Sequence, residues 1–348
     1  MIFIYNFLFI LIVGFILQSK LNIKKYKILF IFICFFQMFL FQALRDSSVG
    51  SDTITYIETY ENYKNSSFYA FKITHFDIGI RWLFEIFSFF RIDSQYILVV
   101  SSLVIMLGFA IFIYFNSKNV LLSTLVFAGL FFPNSFNVIR QYMALAIAIN
   151  ALYFFRNKKY LKALIIILIS LIFHKVSLIL LIPMALSLIK DYRISLFILV
   201  AIAFSCLIFS DYISNLVLTI FRDDYYLDDK YTTLRLFRMT TILTVSYALF
   251  FIYSFRNEDK DNNEYRLIQN FSLLSVSFGI LYLKNEIYSR FIEAVNVYLV
   301  FAFPYFIYIK KDKYDLIYKI SLVSLALFLM IMQVFNSGSG VENYKFYF

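Results

Sequence analysis

Long apolar runs, each closed by a short polar or basic cluster, set the rhythm of this chain. Met1–Leu17 is the first run, and Lys20, Lys24, Lys25 and Lys27 follow it. Ile28–Leu44 is the second, and it leads into a polar stretch from Arg45 to His75. Later runs cover Tyr96–Phe115, Val120–Phe132, Ile139–Phe155, Leu161–Phe173, Val176–Ile189, Ile194–Ser210, Met239–Phe255, Leu267–Leu283, Phe291–Ile309 and Leu316–Val334. A spanning helix needs about 20 predominantly apolar residues, so the repetition predicts an all-α, polytopic membrane protein with about twelve transmembrane helices.

Charge orients the runs. Lys and Arg gather in cytoplasmic loops. The cluster after Leu17, Lys118, the turn Arg156–Lys162, Lys190 with Arg193, and Lys310 with Lys311 are therefore assigned inside. Both termini and two long polar loops, about 45–75 and 211–238, are then assigned outside. The short outer turns carry isolated basic residues against this bias, at Arg91, Arg140, Lys175, Lys284 and Arg290. One segment does not fit the spanning pattern. In Phe76–Phe90, Asp77, Arg81 and Glu85 stack on one helical face, while Ile78, Trp82, Leu83, Ile86 and Phe87 form the other. At 1.5 Å per residue it reaches only about 22 Å, so an amphipathic helix in the outer interface is predicted.

Composition narrows the class. The 348 residues are 61% hydrophobic and only 16% charged, with 45 Phe, which excludes an ordinary soluble domain. The net charge of +10 raises nucleic acid as a partner, but no basic helix or basic-aromatic patch supports it. The bilayer is the expected partner. Cys34 and Cys206 lie inside apolar runs and read as small core residues. The first run is expected to be a retained span, and the whole chain, 1–348, a single transmembrane domain.

The chemistry-bearing residues are few. There is no glycine-rich phosphate loop, no His-Glu-x-x-His helix and no Cys/His cluster. With His75 and His174 as the two histidines, a His-rich metal site is ruled out, and no metal or cofactor is expected. Pro133 to His174 stands out, with polar groups at the ends of two greasy segments. Asn137, Arg140, Gln141 and Ala144 recur at i, i+3, i+4 and i+7, which puts them on one helical face, with the small Ala leaving room for something to approach. A guanidinium suits the paired hydrogen bonds of phosphate recognition; it also suits snorkelling to lipid headgroups. His174 has the ordinary pKa of a general base, or it caps a helix. Arg290, flanked by Glu286 and Glu293, is a second ligand-binding candidate or part of a salt-bridge stack. Arg235 and Arg238 end the second long loop and admit either reading.

Four pieces taken together resemble the EpsG/Wzy family of bacterial polysaccharide polymerases. They are Arg45-Asp46-x-x-Val49-Gly50-x-Asp52-x-x-x-Tyr56, Asn137-x-x-Arg140-Gln141, Phe173-His174-x-x-Ser177 and Tyr288-x-Arg290. Lys175 departs from the pattern, where a small or polar residue is usual. The resemblance implies a GT-C-like membrane glycosyltransferase of the bacterial inner (cytoplasmic) membrane. Its substrates would be undecaprenyl-pyrophosphate-linked oligosaccharides on the outer, periplasmic face. The growing glycan would pass from one carrier to an incoming lipid-linked repeat unit, with a chain-length regulator and a flippase as pathway partners. Arg140 and Arg290 would hold pyrophosphate, supported by Gln141, Asn137, Arg45 and Arg235, and His174 or Asp52 would be the base. Two alternatives stay open. One is a flippase or exporter of the same lipid-linked sugars, for which an internal repeat and midplane charges are the signature. The other is an O-antigen ligase, for which a very large outer loop is the signature.

Overall fold

The structure is a computed structural model that describes residues 1–65, 76–189, 191–209, 212, 263–282, 288–309, 314–336 and 340–348. Among these residues it is helical throughout, with one isolated β-bridge, between Arg45 and Phe346. Five segments are long and apolar enough to cross a membrane: Ile2–Lys20, Lys24–Ala43, Gln95–Asn116, Tyr288–Tyr308 and Asp315–Phe335. This confirms the membrane-helical class, while the described residues do not confirm the expected count of about twelve. Several anticipated spans are shorter helices, among them Val120–Leu130 and Tyr160–Ser170. At 1.5 Å per residue, eleven residues cover only about 16 Å. The run Met239–Phe255 and most of the loop 211–238 lie outside the described residues.

The described residues fall into two compact units, Met1–Ser177 with Leu299–Phe348, and Leu178–Tyr298. In the first, helix α1 (Ile2–Leu17) packs with α2 (Lys24–Ala43), and α2 packs along α5 (Gln95–Asn116). Two shorter helices, α3 (Thr53–Asn65) and α4 (Ile78–Phe89), lie between α2 and α5 in the chain. At the centre is α6 (Val120–Leu130), capped by Asn119, whose side chain accepts from the Leu122 N–H at 3.1 Å. All of α6 but Leu121 is buried, against α1 and the last two helices, α14 (Leu299–Ile309) and α15 (Asp315–Asn336). Gly129 makes this packing possible, because a Cβ there would stand 2.5 Å from the Ala326 carbonyl oxygen. Small residues let membrane helices approach in this way.

Beyond α6 the chain makes a 3₁₀ turn at Asn134–Phe136 and then forms α7 (Ile139–Ala148), α8 (Ala151–Arg156) and α9 (Tyr160–Ser170). The expected continuous span Ile139–Phe155 is interrupted at Ile149 and Asn150. The Asn150 side-chain amide bridges the break, donating to the Ala146 and Gly108 carbonyls at 2.8 and 3.0 Å. In the second unit, α10 (Leu181–Leu186), α11 (Tyr192–Ile208) and α13 (Tyr288–Asn296) pack on α12 (Asn263–Tyr282).

The first unit has a basic end and a loop end. At the basic end Lys27 donates to the Tyr114 carbonyl at 2.6 Å, and Arg156 donates to Asn116 at 3.0 Å. Lys118 stands over the Tyr308 ring. These residues come from turns that the charge pattern assigns to one side. At the loop end the C-terminal tail pairs with the start of the first polar loop. Asp46 N–H donates to the Lys345 carbonyl at 3.0 Å, and Tyr347 N–H to that of Leu44 at 2.9 Å. Phe3 at the N-terminus packs on Phe132 and Phe136 at the same end. The grouping of both termini with Arg45 and Pro133–Gln141 is the one expected from charge.

Candidate functional site

Arg45 forms the floor of the loop end. It is wholly buried, and its guanidinium donates to the Gln42 carbonyl at 3.0 Å, to the Phe136 carbonyl at 3.2 Å and to Thr53 Oγ1 at 3.2 Å. The cation also lies over the Phe136 ring, 4.8 Å from its centroid. Burial pulls its pKa down to about 9, with the Tyr344 phenol opposing, so the group remains charged at neutral pH. Arg45 thus ties the end of α2 to the turn before α7. The loop above it closes through Gly50, at φ +93°, where the backbone passes so close to Phe136 that a Cβ would sit 2.7 Å from its carbonyl oxygen. Asn137 Oδ1 then accepts from the Ser51 N–H at 2.8 Å, which fixes the loop that carries Asp52.

The sequence spacing puts Asn137 on one helical face with Arg140 and Gln141, and the structure separates the three. Pro133 and the 3₁₀ turn precede a non-helical Val138 (φ −90°, ψ 59°), so the helix begins at Ile139 and Asn137 lies outside it. Asn137 faces the Gly50 loop, and Gln141 is fully buried. Arg140 turns instead to the polar cluster above the floor. Its Nε donates to the Tyr56 hydroxyl at 3.0 Å, and its Nη1 donates to Asp77 Oδ2 at 2.9 Å. The guanidinium lies over the Phe76 ring, 5.3 Å from the centroid, and Phe76 packs against Tyr56. Within the described residues Nη2 makes no hydrogen bond, which leaves one donor of each guanidinium edge available to a ligand.

Asp77 was not among the residues singled out from sequence for the site. It stands at the N-cap position of α4, where its side chain makes no capping hydrogen bond and turns to Arg140 instead. The side chains of Arg140 and Asp77 are 27% and 19% exposed. Burial pushes the Asp77 carboxyl above the ordinary carboxylate range, even though Arg140 and, more weakly, Lys175 pull it down. Burial likewise raises the Tyr56 phenol against the pull of Arg140, with the charges of Asp52 and Asp77 adding to the rise. Asp52, Tyr56, Asp77, Arg140 and Lys175 therefore act on one another as a single electrostatic cluster. The available sequence signal for Asp77 was an acid at the head of an amphipathic helix, which reads equally well as a solvated charge.

The same helix reaches the His174 turn. Gly79 N–H donates to the Ile172 carbonyl at 2.7 Å, and a Cβ on Gly79 would meet the Phe173 ring at 2.7 Å. The peptide chain thus brings Asp77 and Lys175 to neighbouring positions. His174 is buried, and its Nδ1 accepts from the Val176 N–H at 3.1 Å. A ring nitrogen that accepts keeps its lone pair there, so in the neutral ring the proton is on Nε2. Ser177 Oγ donates to the His174 carbonyl at 3.0 Å, and Ser170 Oγ donates to Ser177 Oγ at 2.7 Å, which braces the turn. With Nδ1 engaged in this way, the ring nitrogen left to face a ligand is Nε2 or none, and the geometry does not test the base role expected from sequence.

Arg290 lies on α13, in the second unit. Arg235 lies outside the described residues. Among the described residues no group of three or more His, Cys, Asp or Glu side chains is placed to hold a metal ion.

Comparison with known proteins gives one match. The family model of the EpsG family covers residues 27–347, which takes in the Gly50 loop, Asp77, Arg140 and the His174 turn. No curated protein and no solved structure matches the chain.

Proposed function

The chain belongs to the EpsG family, and from that premise we propose that it is a membrane polysaccharide polymerase acting on undecaprenyl-pyrophosphate-linked oligosaccharides. The growing glycan leaves one carrier and is joined to an incoming lipid-linked repeat unit. The reaction takes place at the loop end, on the outer face of the bacterial inner membrane. The observation that carries this reading is Arg140, a half-sheltered guanidinium with an open Nη2 and an aromatic ring beneath it. Such a group stabilises the charge that develops on a departing pyrophosphate, and it does so best where water is partly excluded.

Arg45 and Asn137 act here as positioning residues, since both are engaged by the protein beneath the Asp52 loop. His174, with its proton on Nε2, serves as a donor to a sugar hydroxyl or phosphate oxygen. Aromatic groups around the cluster, Tyr56 and Phe76 among them, suit stacking on sugar faces. Arg290 and Arg235 remain proposed pyrophosphate contacts. An exporter of the same lipid-linked sugars wants charge near the midplane, whereas this cluster sits at a helix end.

Purified protein in liposomes, given a lipid-linked repeat unit, should produce a ladder of longer glycans and release carrier pyrophosphate. Arg140→Ala should abolish the ladder, and Arg140→Lys should fail nearly as badly because a point charge lacks the paired donors. Movement of the unit across the bilayer without any ladder would overturn the polymerase reading.

A further inference from the structure

We propose that Asp77 is the general base of the transfer, held idle as the counter-ion of Arg140 until the pyrophosphate of the donor takes that guanidinium over. The inference rests on the polymerase reading above and adds a residue and a coupling to it. Tyr56 takes the single Nε hydrogen and Asp77 one of the two on Nη1, so a carboxylate already stands beside the edge that Nη1 shares with the open Nη2. A phosphate that takes the Nε–Nη2 edge displaces Tyr56, and one that takes the Nη1–Nη2 edge meets Asp77 at the same nitrogen. Tyr56 is a neutral hydroxyl and tolerates an incoming anion. Asp77 is a carboxylate, and two anions within a few ångströms of each other compete for the same cation.

Displacement changes what Asp77 can do. Beside Arg140 its negative form is stabilised and its affinity for a proton is held down. Once a pyrophosphate claims Arg140, that stabilisation weakens and the phosphate charge adds to the repulsion, so the carboxylate becomes a stronger base. The surrounding groups divide, and the cations among them moderate the rise without replacing Arg140. Asp52 on the Gly50 loop and Tyr56 on α3 bring no positive charge. Arg81 and Glu85 follow on α4 itself with opposite charges, and among the described residues Lys175 on the His174 turn lowers the proton affinity of Asp77. Desolvation already holds the carboxyl above its ordinary range before any ligand arrives.

In the transfer, the acceptor O–H bond breaks and its proton passes to an Asp77 carboxylate oxygen. The acceptor oxygen forms the new bond to the anomeric carbon. The bond from that carbon to the pyrophosphate oxygen breaks, with its electron pair kept on the oxygen that Arg140 holds. Asp77 then gives its proton to water. Base strength rises only when the donor is seated, which protects a lipid-linked unit from attack by stray hydroxyls. The two earlier candidates fit this role less well. His174 has its accepting nitrogen engaged by Val176, and Asp52 makes no contact with Arg140 among the described hydrogen bonds.

The full chain in lipid nanodiscs, titrated with inorganic pyrophosphate, and the liposome ladder assay test the coupling together. Asp77→Asn should bind pyrophosphate at least as tightly as wild type, because the competing anion is gone. It should also polymerise on the order of 10²–10⁴-fold more slowly. Asp77→Glu should recover part of the rate. In wild type the rate should rise with pH through an ionisation above the usual carboxylate range, and that limb should vanish in Asp77→Asn. Weaker pyrophosphate binding in Asp77→Asn would make the residue structural and overturn the proposal, as would a rate within threefold of wild type. If wild type makes no ladder at all, the polymerase reading fails by itself. The binding comparison still decides whether Asp77 competes for Arg140.

Discussion

Gly50→Ala is the sharpest single perturbation of the loop that carries Asp52. At φ +93° a side chain is strained whatever the space around it, at a cost of about 1–2 kcal/mol. Space is also lacking. The added Cβ would stand 2.7 Å from the Phe136 carbonyl oxygen, 2.9 Å from Thr53 Oγ1 and 3.1 Å from Asn137 Oδ1. The first of these is backbone and cannot swing aside, so the loop itself must shift. That movement breaks the Ser51 N–H bond to Asn137 at 2.8 Å and loosens the Gly50 N–H bond to Gly340 at 3.3 Å. Each is worth about 1 kcal/mol, which brings the expected loss to roughly 3–4 kcal/mol. Thermal unfolding of the purified protein in detergent should show the midpoint falling by several degrees. Gly14→Ala is the control, since its new methyl meets the flexible end of Leu121 at an ordinary backbone angle. Equal midpoints for the two variants would refute the account of the Gly50 turn.

Arg45→Met tests the floor of the site. It leaves the buried Gln42 carbonyl without the Arg45 donor, at about 1–3 kcal/mol, and the Phe136 carbonyl with only the longer contact from the Thr53 hydroxyl, and a thermal midpoint equal to wild type would contradict the tie. For His174, Gln keeps a donor and Ala does not. His174→Gln should therefore retain much more polymerisation than His174→Ala, without a change in the acid limb of the pH profile. If that limb shifts with His174, the residue is a base after all.

The helical membrane class was legible because it depends on composition and run length, which survive any uncertainty in packing. The grouping of polar ends was legible for a similar reason. Lysines at Lys27 and Lys118 and the Arg156 turn obey a simple charge rule, and the structure gathers them at one end. The number of spans was not, because an apolar run such as Val176–Ile189 folds as a 3₁₀ segment and a short helix, which hydropathy alone does not distinguish. Arg140 could be picked out as a charge on the wrong side. Its partners could not. Asp77 and Tyr56 are separated from Arg140 by 63 and 84 residues, and periodicity says nothing about contacts over such distances. The face shared by Asn137 and Arg140 failed for a local reason, the break at Val138 after the 3₁₀ turn. Arg45 looked like a ligand contact because an exposed and a buried arginine at a helix end are written alike in sequence.

The central claim is that this loop end joins lipid-linked repeat units with Arg140 on the leaving pyrophosphate. Reconstituted wild-type protein and Arg140→Lys, each supplied with a lipid-linked repeat unit and followed by glycan length and released carrier pyrophosphate, test it most directly. The account predicts a ladder with stoichiometric carrier release from wild type, and neither from a properly inserted Arg140→Lys. A full ladder from Arg140→Lys would contradict the account, and so would a wild-type protein that moves the unit across the bilayer without lengthening it.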